Sequence, residues 1–327
     1  MSRDVGWVVI GRNEGERLSR CLASLPRDAP VVYVDSGSSD DSRERAMRAS
    51  AAVVALDTAE PFTAARGRNA GLERLQRDHP ELELAHLVDG DCLLAPDWLP
   101  RAVAALRADP KRAVVCGIRR EQHPDATVYN LLCAMEWDCE PGEALECGGD
   151  ALVRIGPVLE VGGFRARMIA GEEPELCFRL RAAGWKIWRL PDDMTFHDAA
   201  IQRFGQWWKR QMRAGYAYGL CHSLHGESPE RFREREIRSI LFWGAAVPVA
   251  ALMAGALWAP LGLAVLGLYG VLFWRVRAAR LRRDPDPRRA ALDAAFCVVG
   301  KFAQLVGLLR FAWDRLRGRR EKLIEYK

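Results

Sequence analysis

Between Ser239 and Trp274 the chain runs for 36 residues without a charged side chain, "SILFWGAAVPVAALMAGALWAPLGLAVLGLYGVLFW". One uninterrupted helix of that length would extend about 54 Å, against roughly 30 Å of bilayer hydrocarbon. A break is required, and "APLG" (259–262) supplies it, so the run reads as a hairpin of two hydrophobic helices. A buried hairpin in a soluble domain would not need so long a charge-free run. Arginines flank both outer ends: Arg231, Arg233, Arg235 and Arg238 before it, then Arg275, Arg277, Arg280, Arg282 and Arg283 after it. By the positive-inside rule both ends face the cytosol. A further segment, 290–313, contains Asp293, Lys301 and Arg310 and reads either as an amphipathic helix on the membrane surface or as a third span. The basic stretch "RLRGRR" (315–320) that follows suits contact with anionic membrane lipid.

The rest of the chain has a different pattern. Four apolar runs punctuate the first ninety residues: "WVVI" (7–10), "VVYV" (31–34), "VVAL" (53–56) and "LAHLV" (84–88). Segments of helical spacing separate them, as at Leu18, Cys21, Leu22 and Leu25. The order β-α-β-α-β-α-β predicts an α/β fold with a doubly wound parallel sheet, whose ligands sit beyond the carboxyl ends of the strands. Polar signatures fall in those positions: "GRNEG", "DSGSSDDS" and "DGDC". Further strands are expected at 113–118 and 185–191, and a helix in "PELCFRLRAAG", with Pro174 at its first position and Glu173 at or beside the N-cap. Two domains follow from this organisation, 1–230 and a membrane-associated helical region 231–327.

Composition narrows the chemistry. The chain has 327 residues, 49% of them hydrophobic, with a formal charge of only +5, and a nucleic-acid partner is not expected. Nine cysteines are scattered without a CxxC pair and no secretory signal opens the sequence, so reduced cytosolic thiols are expected. Cys133, Cys139 and Cys147 match no familiar zinc-ligand spacing. No GxGxxG follows the first strand, which disfavours a dinucleotide oxidoreductase. "GRNEGERL" is not the Gly-rich basic loop of a sugar nucleotidyltransferase.

The pair Asp89 and Asp91 stands one residue apart just past a buried strand, and such carboxylates resist desolvation unless a cation or hydrogen-bond donors offset them. Alone the pair is a weak pattern, because two aspartates at a strand end are more often turn and cap residues than ligands. Other strand ends add Asn13 and Glu14, then Asp35, which could accept hydrogen bonds from a base or ribose, and Arg68 with Asn69, where a guanidinium could bridge phosphate or the carboxylates.

Five blocks in this order, "VVIGRNEGERLSRCLASL", "VVYVDSGSSDDS", "ARGRNAGL", "HLVDGDCLLAPDWL" and "GEEPELCFRLRAAGWKIWRLPDDMTFH", resemble the family 2 inverting glycosyltransferases with the GT-A fold, over roughly residues 5 to 220. The resemblance implies a Rossmann-like, nucleotide-diphospho-sugar transferase domain, followed here by the hydrophobic helices. It implies that Asp35 contacts the base, that Asn13 and Glu14 line the nucleotide pocket, and that Asp89 and Asp91 hold ribose and a divalent metal, Mg²⁺ or Mn²⁺. Similar enzymes place the catalytic base in an acidic pair before a helix, usually with Asp second. Here Glu173 matches the base and Glu172 its neighbour, a departure that lengthens the side chain by one methylene. An acidic helix start also stabilises its own dipole. His197 occupies a position where relatives carry a histidine that completes the metal or phosphate site. Trp207 and Trp208 could stack on sugar faces or anchor at a membrane interface. Processive relatives carry QxxRW hereabouts, whereas this chain has "QWWKR", so a single transfer is expected.

The reading is thus a membrane-attached, metal-dependent transferase. It would move one sugar from a UDP- or GDP-sugar to a lipid-linked or envelope glycan acceptor at the cytosolic face of a bacterial inner membrane. The alternative is a non-catalytic nucleotide-sugar binding or scaffold protein.

Overall fold

In a computed structural model, which describes residues 4–57 and 59–318, the chain divides into two compact units, Met1–Ala200 and Ile201–Lys327. The boundary expected at 230 falls inside the second unit, between its first two helices.

The first unit is built on one nine-stranded mixed sheet. Its elements in chain order are β1 (Val5–Gly11), α1 (Glu16–Ser24), β2 (Val31–Asp35), α2 (Ser42–Arg48), β3 (Ala52–Ala55), α3 (Ala64–Asp78), β4 (Leu84–Asp89) and β5 (Cys92–Leu94). They continue with α4 (Trp98–Ala108), β6 (Arg112–Glu121), α5 (Val128–Trp137), β7 (Gly142–Ala144), β8 (Ala151–Arg154), α6 (Ile155–Glu160), α7 (Glu172–Ala182) and β9 (Lys186–His197). The strand order is β3-β2-β1-β4-β8-β6-β9-β5, with β7 on β9. β1 to β4 pair in parallel, as their continuous apolar runs predict for strands covered on both faces. β8 runs antiparallel to both β4 and β6, so the sheet as a whole is mixed rather than all-parallel.

The core forms where these strands are richest in valine. Trp7 and His86 lie opposite each other on β1 and β4, and their rings stack at 4.6 Å. Trp98 Nε1–H donates to His86 Nε2 at 2.8 Å, and His86 Nδ1 lies 3.1 Å from the Leu87 carbonyl. This arrangement needs a neutral imidazole, and burial lowers its pKa from 6.5 to about 3.

β9 is longer than its sequence suggests. "WKIWRLP" reads as a strand ending at Pro191, yet the strand continues to His197. The register with β6 slips between Cys116 and Ile118, whose partners are Arg189 and Asp193. Pro191 falls in the skipped stretch, where its missing N–H costs no ladder bond.

The second unit comprises α8 (Phe204–His225), α9 (Glu234–Leu241), a π-helical turn (Phe242–Ala246), α10 (Val247–Leu257), α11 (Ala259–Leu266), α12 (Leu268–Leu281) and α13 (Pro287–Leu316). Among the described residues three stretches are long and apolar enough to cross a membrane: Glu234–Leu257, Ala259–Leu281 and Pro287–Leu316. The break in the hydrophobic run comes at Trp258, whose extended backbone separates α10 from α11 with Pro260 in the first turn of α11. The third stretch is one 30-residue helix, capped by Asp286, whose carboxylate accepts from the Arg288 and Arg289 N–H groups. Arg319 and Arg320 of the basic tail lie outside the described residues.

α8 and α13 pack backbone to backbone. A Cβ on Gly307 would stand 1.9 Å from the Met212 carbonyl oxygen, and one on Gly215 would stand 2.0 Å from that of Gln304. Trp207 is buried edge-to-face on Phe296 of α13, so its ring serves helix packing.

Candidate active site

The parallel strands deliver their ends to one rim. Ile10 lies opposite Asp89, and Gly11 opposite Asp35, so the loops after β1, β2 and β4 leave the sheet at one level. Asp35 is 1% exposed, and its Oδ2 accepts from the Gly37 and Ser38 N–H groups at 3.1 and 3.0 Å. These bonds shape the turn after β2 as well as fixing the carboxylate. Asn13 adopts φ +57 and ties two loops together: its N–H donates to Ser38 Oγ, and its Oδ1 accepts from the Ser39 N–H. The Glu14 N–H donates to Ser42 Oγ, and Glu14 pairs with Arg17 at 2.8 Å. The residues expected to line a nucleotide pocket therefore brace its walls against one another.

Asp89 is gripped from both sides. Arg68, buried on α3, donates Nη2 to Asp89 Oδ1 at 3.0 Å and Nη1 to Glu172 Oε1 at 2.9 Å. Arg119, near the end of β6, lies 3.6 Å from Asp89 Oδ2 and 2.8 Å from Asp150 Oδ2. Asp150 is fully buried and also accepts from the Asp89 N–H at 3.0 Å and Thr195 Oγ1 at 2.9 Å. Burial alone would lower the pKa of each guanidinium, but the carboxylates more than offset it and hold both above the ordinary arginine value. Phe164 lies under the Arg68 guanidinium at 5.6 Å, and Asn69 clamps the Phe164 backbone with two hydrogen bonds.

Asp150 and Arg119 were not singled out from sequence. A carboxylate after "CGG" and an arginine in "IRRE" carry no local motif. The available signal was only a charge at the end of an apolar run, which is common on solvated strand ends.

Asp91 is arranged differently. Its Oδ2 lies 3.2 Å from His197 Nε2, and both side chains are buried. The short strand β5 pairs with β9 so that Cys92 faces His197, which brings the two residues together from positions 106 apart in sequence. Trp137, at the end of α5, stands edge-to-face on the His197 ring at 5.0 Å. Asp91, Cys92 and His197 place donor atoms within 4.8 Å of one another. The donor set fits a divalent cation: the carboxylate suits Mn²⁺ or Mg²⁺, imidazole is a common ligand for divalent metals, and the formal charges favour one. Asp89, Asp91, Asp150 and Glu172 contribute four negative charges, Arg68 and Arg119 two positive ones. Two positive charges would balance the cluster. Asp91 and His197 are the residues that would hold the metal, and Asp89, paired with two arginines, keeps lone pairs for a ligand beside them.

The acidic pair divides its work. Gly171, in the left-handed region at φ +77, starts α7, so Pro174 is the third helical residue rather than the first. Glu172 points to Arg68, as described. Glu173 is 6% exposed, and its Oε1 accepts from the Cys147 N–H at 2.6 Å and from Cys177 Sγ at 3.0 Å. Glu173 therefore lies behind the turn Cys147–Gly149. The other end of that turn touches the arginines: a Cβ on Gly149, at φ +102, would meet Arg68 Nη2 at 3.2 Å and Arg119 Nη2 at 3.4 Å. Glu175 accepts from Arg165 and Arg179, and Arg179 also donates to the Val161 and Gly163 carbonyls, which fixes α7 in place.

Residues 7–140 match the family model for glycosyl transferase family 2. Over that stretch the chain is similar to the family 2 glycosyl transferases. Two sequences from Mycobacterium tuberculosis strains, each named pre-mycofactocin glycosyltransferase, are 27% identical to it over 216 residues, covering 61% of this chain and 44% of theirs. The chain thus spans under half the length of these relatives. Among solved structures, a mannosyltransferase from Pyrobaculum calidifontis in complex with GDP-Man and Mn²⁺ superposes with TM-score 0.60 at 20% identity, covering 95% of this chain and 88% of that one. S. aureus TarS 1–349 in complex with UDP gives TM-score 0.51 at 16% identity, covering 99% and 95%. These structural likenesses establish the fold, which is of the GT-A type.

Proposed function

We propose that this protein transfers a single sugar, with inversion, from a nucleotide-sugar donor to a lipid-linked or envelope glycan acceptor. The observation that carries the reading is the convergence of Asp89, Asp91, Asp150, Glu172 and His197 on one sheet rim in a family 2 domain. Binding of GDP-Man with Mn²⁺ and of UDP by structural neighbours supports a UDP- or GDP-sugar as donor.

Asp35, Asn13 and Glu14 frame the nucleotide, and Asp89, oriented by Arg68 and Arg119, accepts from the ribose hydroxyls. Each carboxylate oxygen has two lone pairs, so the arginines leave acceptor capacity on Asp89. Asp91 and His197 would hold Mg²⁺ or Mn²⁺, which would supply Lewis-acid stabilisation of charge on the departing diphosphate. Glu173 takes the proton of the acceptor hydroxyl, which then attacks the anomeric carbon from the side opposite the diphosphate. Glu172 secures Arg68. The membrane-spanning helices support a lipid-borne acceptor, because tethering confines enzyme and substrate to one surface. The arginine flanks support a cytosolic catalytic side, at a bacterial inner membrane.

The test is nucleoside diphosphate release by detergent-purified full-length protein across a panel of UDP- and GDP-sugars with Mn²⁺ or Mg²⁺ and membrane lipid extract. Glu173→Gln should lower release about 100-fold or more. Equal rates for the variant and the parent remove Glu173 as base, and no release with any donor favours a binding protein. An NMR assignment of the product's anomeric configuration decides inversion.

A further inference from the structure

Against the Cys147–Gly149 turn packs a second group of ligating side chains, of which the proposed sugar transfer uses only Glu173. Cys147, Cys177 and Glu173 are all buried, and one donor atom from each lies within 4.8 Å of the others. Glu173 and Cys177 stand four residues apart on α7 and so share one helix face, an i, i+4 spacing that recurs in metal-binding helices. Cys147 arrives from the turn after β7 and completes a triangle.

The distances discriminate between possible uses. The Cys147 and Cys177 sulfurs are 3.9 Å apart. Two thiolates on one tetrahedral zinc at about 2.3 Å each stand roughly 3.8 Å apart. A disulfide would need the sulfurs at about 2.05 Å. Cys177 Sγ to Glu173 Oε1 is 3.0 Å, a contact that a cation would open by a few tenths of an ångström. Cys116, on the neighbouring β6, is near enough for Cys147 and Glu173 to act on its thiol and adds further sulfur to the surroundings. Two thiols and one carboxylate form a soft, three-ligand set with a fourth position left open, which zinc accepts and Mg²⁺ does not favour.

We propose that Cys147, Cys177 and Glu173 form a zinc site, separate from the Asp91–His197 pair, and that its occupation inhibits transfer by withholding Glu173 from the acceptor hydroxyl. Binding converts both thiols to thiolates and releases their two protons to solvent. The inhibitory half rests on Glu173 being the base. The binding half does not.

Cobalt(II), a coloured stand-in for zinc, separates the two halves in full-length protein. A thiolate-to-cobalt charge-transfer band should appear on titration and disappear on adding zinc. It should be lost in Cys147→Ser and Cys177→Ser, weaken in Glu173→Gln, and persist in Cys92→Ser, which controls for the thiol beside Asp91 and His197. Thermal unfolding of each metal-free variant checks that loss of the band is not loss of the fold. No band in the parent protein, or a band abolished only by Cys92→Ser, overturns the site. Zinc should then slow nucleoside diphosphate release about 100-fold in the parent, the scale of a general base, and leave Cys177→Ser unaffected. Cobalt binding at the cysteines without slowing by zinc overturns inhibition and keeps the site. Absence of release even from zinc-free protein refutes the transferase reading, and inhibition with it, while the spectrum still decides the site.

Discussion

Acidification should destabilise the first unit through His86, by an amount the structure allows to be worked out. The imidazole is fully buried between Trp7 and Trp98, accepts a hydrogen bond on Nε2, and is driven by burial from 6.5 to about 3. A histidine whose folded pKa is depressed contributes stability that is complete above 6.5 and is lost as pH falls toward 3, because the unfolded chain takes up the proton first. Over that window the slope approaches about 1.4 kcal/mol per pH unit. Between about pH 7.5 and 4.5 the loss from this one group is roughly 2.5 kcal/mol, or on the order of 5–10 °C in Tm for a unit of this size. Carboxylates that gain partners on folding, such as Asp109 beside the Lys111 N–H and Lys186, add to acid lability at lower pH, so the comparison must be differential. His86→Gln keeps an acceptor for Trp98 and cannot ionise. Its Tm is expected to be lower at neutral pH yet to fall less steeply on acidification, by the same 5–10 °C. Identical pH slopes in the two proteins, followed by tryptophan fluorescence on heating, would refute the argument.

Two further outcomes follow from the packing. Arg68→Met should strand Asp89 and Glu172 without their shared cation and cost about 3–5 kcal/mol, seen as a large drop in Tm, because removing one member of a buried ion pair leaves the others uncompensated. Gly307→Leu should cost about 1–3 kcal/mol or more, since even its Cβ must displace the Met212 carbonyl; a Tm in detergent unchanged from the parent would show that α8 and α13 separate freely.

The parallel half of the sheet and the Asp89–Asp91 pair were legible because local chemistry announces them. Valine runs specify doubly covered strands, and two aspartates past a strand end demand a partner. His197 was legible by its place in a family motif. Asp150 and Arg119 were not, because their meaning is tertiary: Asp150 matters through the Asp89 N–H, 61 residues away, and nothing in "CGGD" encodes that contact. The antiparallel insertion of β8 was hidden for the same reason. Proline concealed the last half of β9, where the strand passes through a slip in register. The acidic pair was visible, but the division between Glu172 and Glu173 was not. It depends on which carboxylate meets Arg68 and which turns toward Cys147 and Cys177.

The stretch Cys147–Asp150 is four residues long, yet its first member holds Glu173, its third lies against both guanidiniums, and its last carries the backbone of Asp89. Such a hub cannot shift at one point and stay still at the others. A small molecule wedged there would disturb Glu173, both guanidiniums and Asp89 at a stroke, which makes this turn, more than any single acid, the place where one perturbation reaches the whole acidic cluster.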